Sequence, residues 1–235
     1  MKYQWATATH IGLLRTQNQD AVWPEEPGAD EGPLVAAVAD GMGGHAGGEV
    51  ASRLALQAAI SRKGSATQRV AAANKAVVEG VIDEPALSGM GTTLTLGIFE
   101  PDGRLEVGHV GDSRAYLLHG DELRRLTTDH TLVAELVESG RLRPDQVESH
   151  PQRNLLTRAI GMAQDLNIDT VSEDLAPGDR VLLCSDGLWN MVGTDDIASI
   201  LASGPPEEAA WNLVEAANAA GGQDNVTVAI VAALP

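Results

Sequence analysis

The stretch LVAAVADGMGGHAGG at 34–48 is an apolar run that stops on one carboxylate, Asp40, and then gives way to five glycines within eight residues. The same design recurs in RVLLCSDG, which ends on Asp186, and more loosely in LEVGHVGDS, which ends on Asp112. An apolar run of this length reads as a buried strand, so a charge at its end is delivered to the rim of the core. Glycine after the charge lets the backbone turn sharply and present a carbonyl oxygen beside the carboxylate. Asp20 in NQDA and Asp224 in GGQDN stand at similar boundaries. Any one of these aspartates alone reads as a turn or cap residue. Five together do not, because converging carboxylates repel one another unless a cation neutralises them. Hard cations such as Mg²⁺ and Mn²⁺ prefer oxygen ligands of this kind and retain several waters.

A nucleotide loop is the best local rival. Gly41, Gly43 and Ala46 match G-x-G-x-x-[GA] between a strand and a helix. That reading needs an acidic residue about twenty positions on for the ribose, and residues 50–78 contain neither Asp nor Glu. No Gly-Lys-[Ser/Thr] follows either, so a P-loop is excluded.

The 33 acidic and 16 basic residues give a formal net charge of −17, a field that repels nucleic acid and anionic membrane surfaces. Cys184 is the only cysteine, which rules out an internal disulfide and suits a reducing, cytoplasmic compartment. The start MKYQWATATH lacks the apolar stretch of a signal peptide, and no segment approaches the length of a membrane span. The expectation is a soluble, monomeric, cytoplasmic domain.

Strands are expected at roughly 3–9, 34–39, 91–99, 104–110, 114–119, 168–173, 180–184 and 225–232, with PEEPGADEGP at 24–33 as an exposed loop. Helices are expected in EVASRLALQAAI, with Val50, Leu54 and Ala58 on one face, and in ATQRVAAANKAVVEGVI, with Val70, Ala73, Val77 and Val81. Two more are expected near 194–202 and 206–220. Clustered antiparallel strands with paired helices point to sheets packed on each other with helices outside. Residues 127–160 differ: a short capped helix in DHTLVAELVESG is followed by a strand-poor, mixed-charge stretch. Six basic residues lie between Arg124 and Arg158. They are either a grip for an anionic partner or a solvated insertion.

RTQNQD (15–20), VADGMGGHAGGEVAS (38–52), GMGTTLT (89–95), VGHVGDSRAYL (107–117), LTTDHTLV (126–133), HPQRNLLTRAIG (150–161), LLCSDGLWNMV (182–192) and GGQDNVTVAIV (221–231) follow one another in order. Together they resemble the bacterial branch of the metal-dependent protein phosphatases, the PPM or type 2C family, from about residue 8 to 232. The resemblance implies a single α+β domain over 1–235, a four-layer α-β-β-α sandwich of two mainly antiparallel sheets, with a flap at about 127–160. It implies hydrolysis of phosphoserine and phosphothreonine by in-line attack of a metal-bridging water. Two core Mn²⁺ or Mg²⁺ ions and a third, weaker one are the implied cofactors. Phosphorylated proteins, and a serine/threonine kinase of the same cell, are the implied partners. An inert phosphoprotein-docking domain is the alternative.

Carried over by position, Asp40 would bridge two metals and the Gly41 carbonyl would bind the second. Asp186 and Asp224 would complete the first, and Asp112 with Asp186 would hold the third. Asp20 would order coordinated waters, and Arg15 would clamp the phosphate with planar, bidentate donors. Asn225 borders the site and also reads as a turn residue. Gln19 stands where many members have Glu, and Asn190 where some have Asp. Met42 stands where eukaryotic members place a histidine, which leaves His45 or a coordinated water to protonate the leaving group. A thiol mechanism is disfavoured because the position six after Cys184 is Asn190, not the arginine that cysteine phosphatases need.

Overall fold

The computed structural model describes residues 1–43 and 47–234. In chain order the elements are β1 (Lys2–His10), β2 (Asp20–Trp23), β3 (Gly28–Glu31), β4 (Leu34–Met42), α1 (Gly47–Ser61) and α2 (Ala66–Asp83). Then come β5 (Gly91–Thr92), β6 (Leu94–Phe99), β7 (Arg104–Val110), β8 (Arg114–His119), β9 (Glu122–Arg125) and α3 (Leu132–Glu138). The chain closes with β10 (Asp169–Asp174), β11 (Arg180–Cys184), α4 (Asp186–Trp189), α5 (Thr194–Ala202), α6 (Pro206–Ala219) and β12 (Val226–Leu234).

One sheet runs β3-β1-β12-β11-β8-β9 and the other β10-β7-β6-β4-β2, with β5 paired to β4 at its end. All of these pairings are antiparallel. Side-chain alternation sorts the strands into two buried faces. Ala36 and Val38 of β4, Val181 and Leu183 of β11, and Ala229 and Val231 of β12 meet Leu105, Val107 and Phe99 between the sheets. Leu182, Cys184, Val228 and Ile230 point the other way, against Ile197, Leu201, Leu213 and Val214 of α5 and α6. On the far side Ala37, Ala39, Leu94 and Leu96 meet Ala51, Ala55, Val70, Ala73 and Val77 of α1 and α2. The result is the four-layer sandwich.

The structure revises the expected map in four places. The supposed loop at 24–33 contains β3, which pairs with β1 from Lys2↔Glu31 to Trp5↔Gly28. Its residues are mostly exposed, so it is held by backbone bonding at a sheet edge and carries no apolar alternation. The short strands β2, half-buried, and β9, mostly exposed, also lie outside the expected set. The run 91–99 is broken at Thr93, where β5 ends and β6 begins. In α1 the fully buried stripe is Ala51, Ala55 and Ala59, with Val50, Leu54 and Ala58 flanking it. Small residues let the helix lie close to the sheet.

Asn74 of α2 is buried and holds the chain beyond the flap. Its Nδ2 donates to the Ala163 carbonyl at 2.8 Å and its Oδ1 accepts from the Gly161 N–H at 2.8 Å. Asn74→Ala strands those backbone groups, and should cost about 2 kcal/mol. Urea denaturation of the two proteins in chelator checks this.

Candidate active site

The alternation that fills the inter-sheet core explains where the acids go. Ala36 and Val38 face inward on β4, and two residues on, the same face carries Asp40. On β2 the inward Val22 is likewise two residues from Asp20, and Asp20 pairs directly with Asp40 across the strands. Like charges opposite one another in a sheet destabilise it. At the same end, Asp112 lies in the turn between β7 and β8, Asp186 opens α4 after β11, and Asp224 precedes β12. Asp40 thus shares an electrostatic environment with Asp20, Asp186, Asp112 and Asp224.

Burial, reinforced by mutual repulsion, drives the titration of Asp20, Asp40, Asp112 and Asp186. It raises Asp20 to about 7, its burial aided by the charges of Asp186 and Asp224. Asp112 rises to about 8, through burial and then Asp186. Asp186 rises to about 6, through burial and then Asp224. Asp40 is held well above the usual carboxylate range by burial and then Asp20. Asp20 Oδ1 and Asp186 Oδ1 are buried and have no hydrogen-bond partner among the described residues. Buried acceptors without donors, on acids that repel, are what a cation would satisfy. Among the described residues no three His, Cys, Asp or Glu side chains close into a ligand cage. An open set with few protein ligands suits Mg²⁺ or Mn²⁺, which keep part of their water shell.

The remaining oxygens are aimed by neighbours. Ser185 Oγ donates to Asp20 Oδ2 at 2.8 Å and is fixed by accepting from the Thr227 N–H at 3.0 Å. Asn190 Nδ2 donates to Asp186 Oδ2 at 3.1 Å, so the residue that replaces an aspartate here serves as an orienting donor. The Asp40 N–H donates to Thr93 Oγ1 at 2.9 Å, and Thr92 Oγ1 donates to the Asp40 carbonyl at 2.8 Å. A β-carbon on Gly41 would stand 2.1 Å from the Gly48 carbonyl oxygen, so only glycine fits there. Arg15 Nη2 donates to Asp224 Oδ2 at 2.6 Å, and both side chains remain partly open to solvent. Four of its five N–H donors are free of that bond for an anion.

Seven of the eight expected site residues therefore lie at one end of the two sheets. The eighth, His45, lies outside the described residues. Asn225 does more than turn the chain: its side chain accepts from the Gln19 N–H at 2.8 Å and donates to the Ile11 and Gln17 carbonyls at 2.9 Å. It shapes the loop that carries Arg15 and Asp20. Ser185, Thr92, Thr93 and Trp189 were not anticipated, although Ser185 and Trp189 flank Asp186 in the motif already singled out. Cys184 is buried, and burial pushes its thiol up to about 12, which removes it as a nucleophile.

Raised carboxyls make the cation-free protein sensitive to base. The unfolded groups titrate near 3.8, so between that value and the folded values of about 6 to 8 the native state binds more protons. Their contribution to stability is whole below about pH 4 and is lost as pH rises through 6–8. In chelator Tm should fall from pH 5 to pH 8, and Mn²⁺ should flatten that fall. Asp40→Asn should raise Tm in chelator by roughly 2–4 °C for each kcal/mol of repulsion relieved, while shrinking the rise that Mn²⁺ produces. Thermal melts across pH, with and without the ion, measure both.

A family model described as Protein phosphatase 2C matches residues 15–219. The serine/threonine protein phosphatase PstP of Mycobacterium tuberculosis is 40% identical over 97% of this chain, which spans 44% of that protein's length. The serine/threonine phosphatase stp of Listeria innocua is 38% identical, with 95% of this chain and 93% of that protein covered. A solved catalytic domain of PstP in complex with two manganese ions superposes with a TM-score of 0.88 at 37% identity, covering 100% of this chain and 99% of that one.

Proposed function

The chain belongs to the protein phosphatase 2C family, and on that premise we propose that it is a metal-dependent phosphatase hydrolysing phosphoserine and phosphothreonine in proteins. The observation that carries the reading is the cluster of half-buried Asp20, Asp40 and Asp186 with buried Asp112, in which one oxygen each of Asp20 and Asp186 has no hydrogen-bond partner among the described residues, beside the exposed Arg15. Asp40, Asp186 and Asp224 would hold two core Mn²⁺ or Mg²⁺ ions together with the Gly41 carbonyl, and Asp112 with Asp186 a third. When bound, such ions lower the pKa of coordinated water and offset phosphoryl charge.

The chain's own residues supply the rest. Arg15 receives the phosphoryl oxygens on its free N–H donors and orients the phosphorus for in-line displacement. Asp20, steadied by Ser185, holds water in place. No side chain needs to become phosphorylated. All the acids this reading needs are present, so nothing favours an inert docking domain. A single domain with a flap at about 127–160, a monomer in the cytoplasm, and a kinase acting on the same proteins complete the proposal. Among the described residues no helix is long and apolar enough to cross a membrane.

Phosphate release from a phosphothreonine peptide is the test. It should vanish in chelator and return with Mn²⁺; undiminished turnover after exhaustive chelation overturns the reading. Asp224→Asn should cut kcat about 100-fold or more, as removal of a transition-state contribution does, whereas Arg15→Ala should act chiefly on KM.

The flap yields a separate expectation. Arg143 pairs with Asp145 at 3.0 Å and Arg153 donates to the Glu148 carbonyl at 2.8 Å. Arg141 Nε donates to Ser139 Oγ at 3.2 Å. If this surface reads peptide, replacing Arg141, Arg143 and Arg153 with alanine should lower kcat/KM for phosphopeptides and spare a small aryl phosphate. Equal, minor changes on both would make the flap a passive insertion.

A further inference from the structure

The motif LTTDHTLV at 126–133 contributes nothing to the chemistry above, yet it runs alongside the turn that carries Asp112. The contacts are paired residue by residue. Leu126 N–H donates to the Ala115 carbonyl at 2.8 Å, and Ala115 N–H returns a bond to Thr127 Oγ1 at 3.1 Å. His130 N–H donates to the Gly111 carbonyl at 2.8 Å, and Gly111 N–H returns a bond to His130 Nδ1 at 3.1 Å. Between them, Asp129 clasps Arg114 with both oxygens, to Nε at 3.0 Å and Nη2 at 2.6 Å.

Asp112 thus has a gripped residue on either side. Gly111 precedes it with φ +112 and packs so closely on Thr93 that a β-carbon would stand 2.5 Å from Thr93 Cγ2. Arg114 follows it, with its guanidinium carbon 3.5 Å above the Trp189 ring centroid. Trp189 Nε1 in turn donates to the Asp112 carbonyl at 3.0 Å. The His130 ring is buried, lies 4.7 Å from the His109 ring, and has Nε2 3.1 Å from Asp169 Oδ2, a close approach without hydrogen-bond geometry. Asp169 is anchored from the other side by Arg158 Nη1 at 2.7 Å.

We propose that Asp129 and His130 are positioning residues for Asp112: they lock its turn from both sides and tie it to the point where the flap leaves the sheets. Neither touches substrate. The proposal rests on Asp112 being a ligand of the weaker cation, and substitutions that leave ligands in place but free their supports cost about 10–100-fold in metal affinity.

Equilibrium Mn²⁺ binding, followed by the electron paramagnetic resonance of free Mn²⁺, tests this in the intact chain without reference to turnover. Asp112→Asn should abolish the weakest class of bound ion. His130→Leu and Asp129→Asn should weaken that class about 10–100-fold and leave the tighter ions unchanged. His130→Asn, whose Oδ1 can accept from the Gly111 N–H, should bring it back toward wild type. A purely structural role would lower Tm in all these variants without separating weak from tight ions. If Asp112→Asn loses the weakest class while His130→Leu and Asp129→Asn keep it, the ligand role stands and the positioning role is overturned. If Asp112→Asn binds as wild type does, both fall together. Should His130→Leu not fold, Asp129→Asn carries the test, because Arg114 retains Tyr116 and Trp189.

Discussion

Carboxylates gathered at the rim of the core, where they repel one another, are the constraint around which this fold is arranged. Two unit charges 4 Å apart interact by roughly 4 kcal/mol at the effective dielectric near a protein surface. No local structure would gather such groups unaided. Here the two sheets do it, because each acid extends a face already committed to the core: Asp40 continues the inward series Ala36, Val38, and Asp20 the series of Val22. The hydrophobic energy of the inter-sheet layer holds the charges together until a cation satisfies them. Affinity for the ion and strain in its absence are two readings of one arrangement.

Around that cluster, Ser185, Thr92, Thr93 and Asn190 bond to the acids themselves. Ser185 bridges the sheets to reach Asp20, and Thr93 and Thr92 hold the Asp40 backbone. Asn190 orients one oxygen of Asp186 and leaves the other bare. Such supports fix which oxygens can turn toward a cation and which cannot.

Asp40, Asp186 and Asp112 were legible in the sequence because each is a charge where an apolar run should end in a neutral turn, and Asp20 and Asp224 joined them as acids at similar strand boundaries. Sheets packed on each other with helices outside were legible too, since clustered antiparallel strands with paired helices leave few ways to bury every apolar face. The misses share a physical cause. Strands β3 and β9 bury little, so their pairing is written in backbone bonds that leave no mark on side-chain choice, and β2 is only four residues long. In α1 the large apolar residues drew the eye, while the buried stripe is alanine, whose small size is the reason it fits. The contacts of Ser185 with Asp20 and of Trp189 with Asp112 join residues 165 and 77 positions apart, a separation no local motif encodes.

The pairing of the first and last strands has a further consequence. Lys2 stands opposite Leu234, while His10 stands opposite Val226, beside the loop that holds Asp224 and Arg15. Both ends of the fold therefore emerge side by side at the pole remote from the acids. Anything joined to either end, whether a tether, a second domain or a solid support, pulls on that pole alone and leaves the end that carries the acids facing away from it.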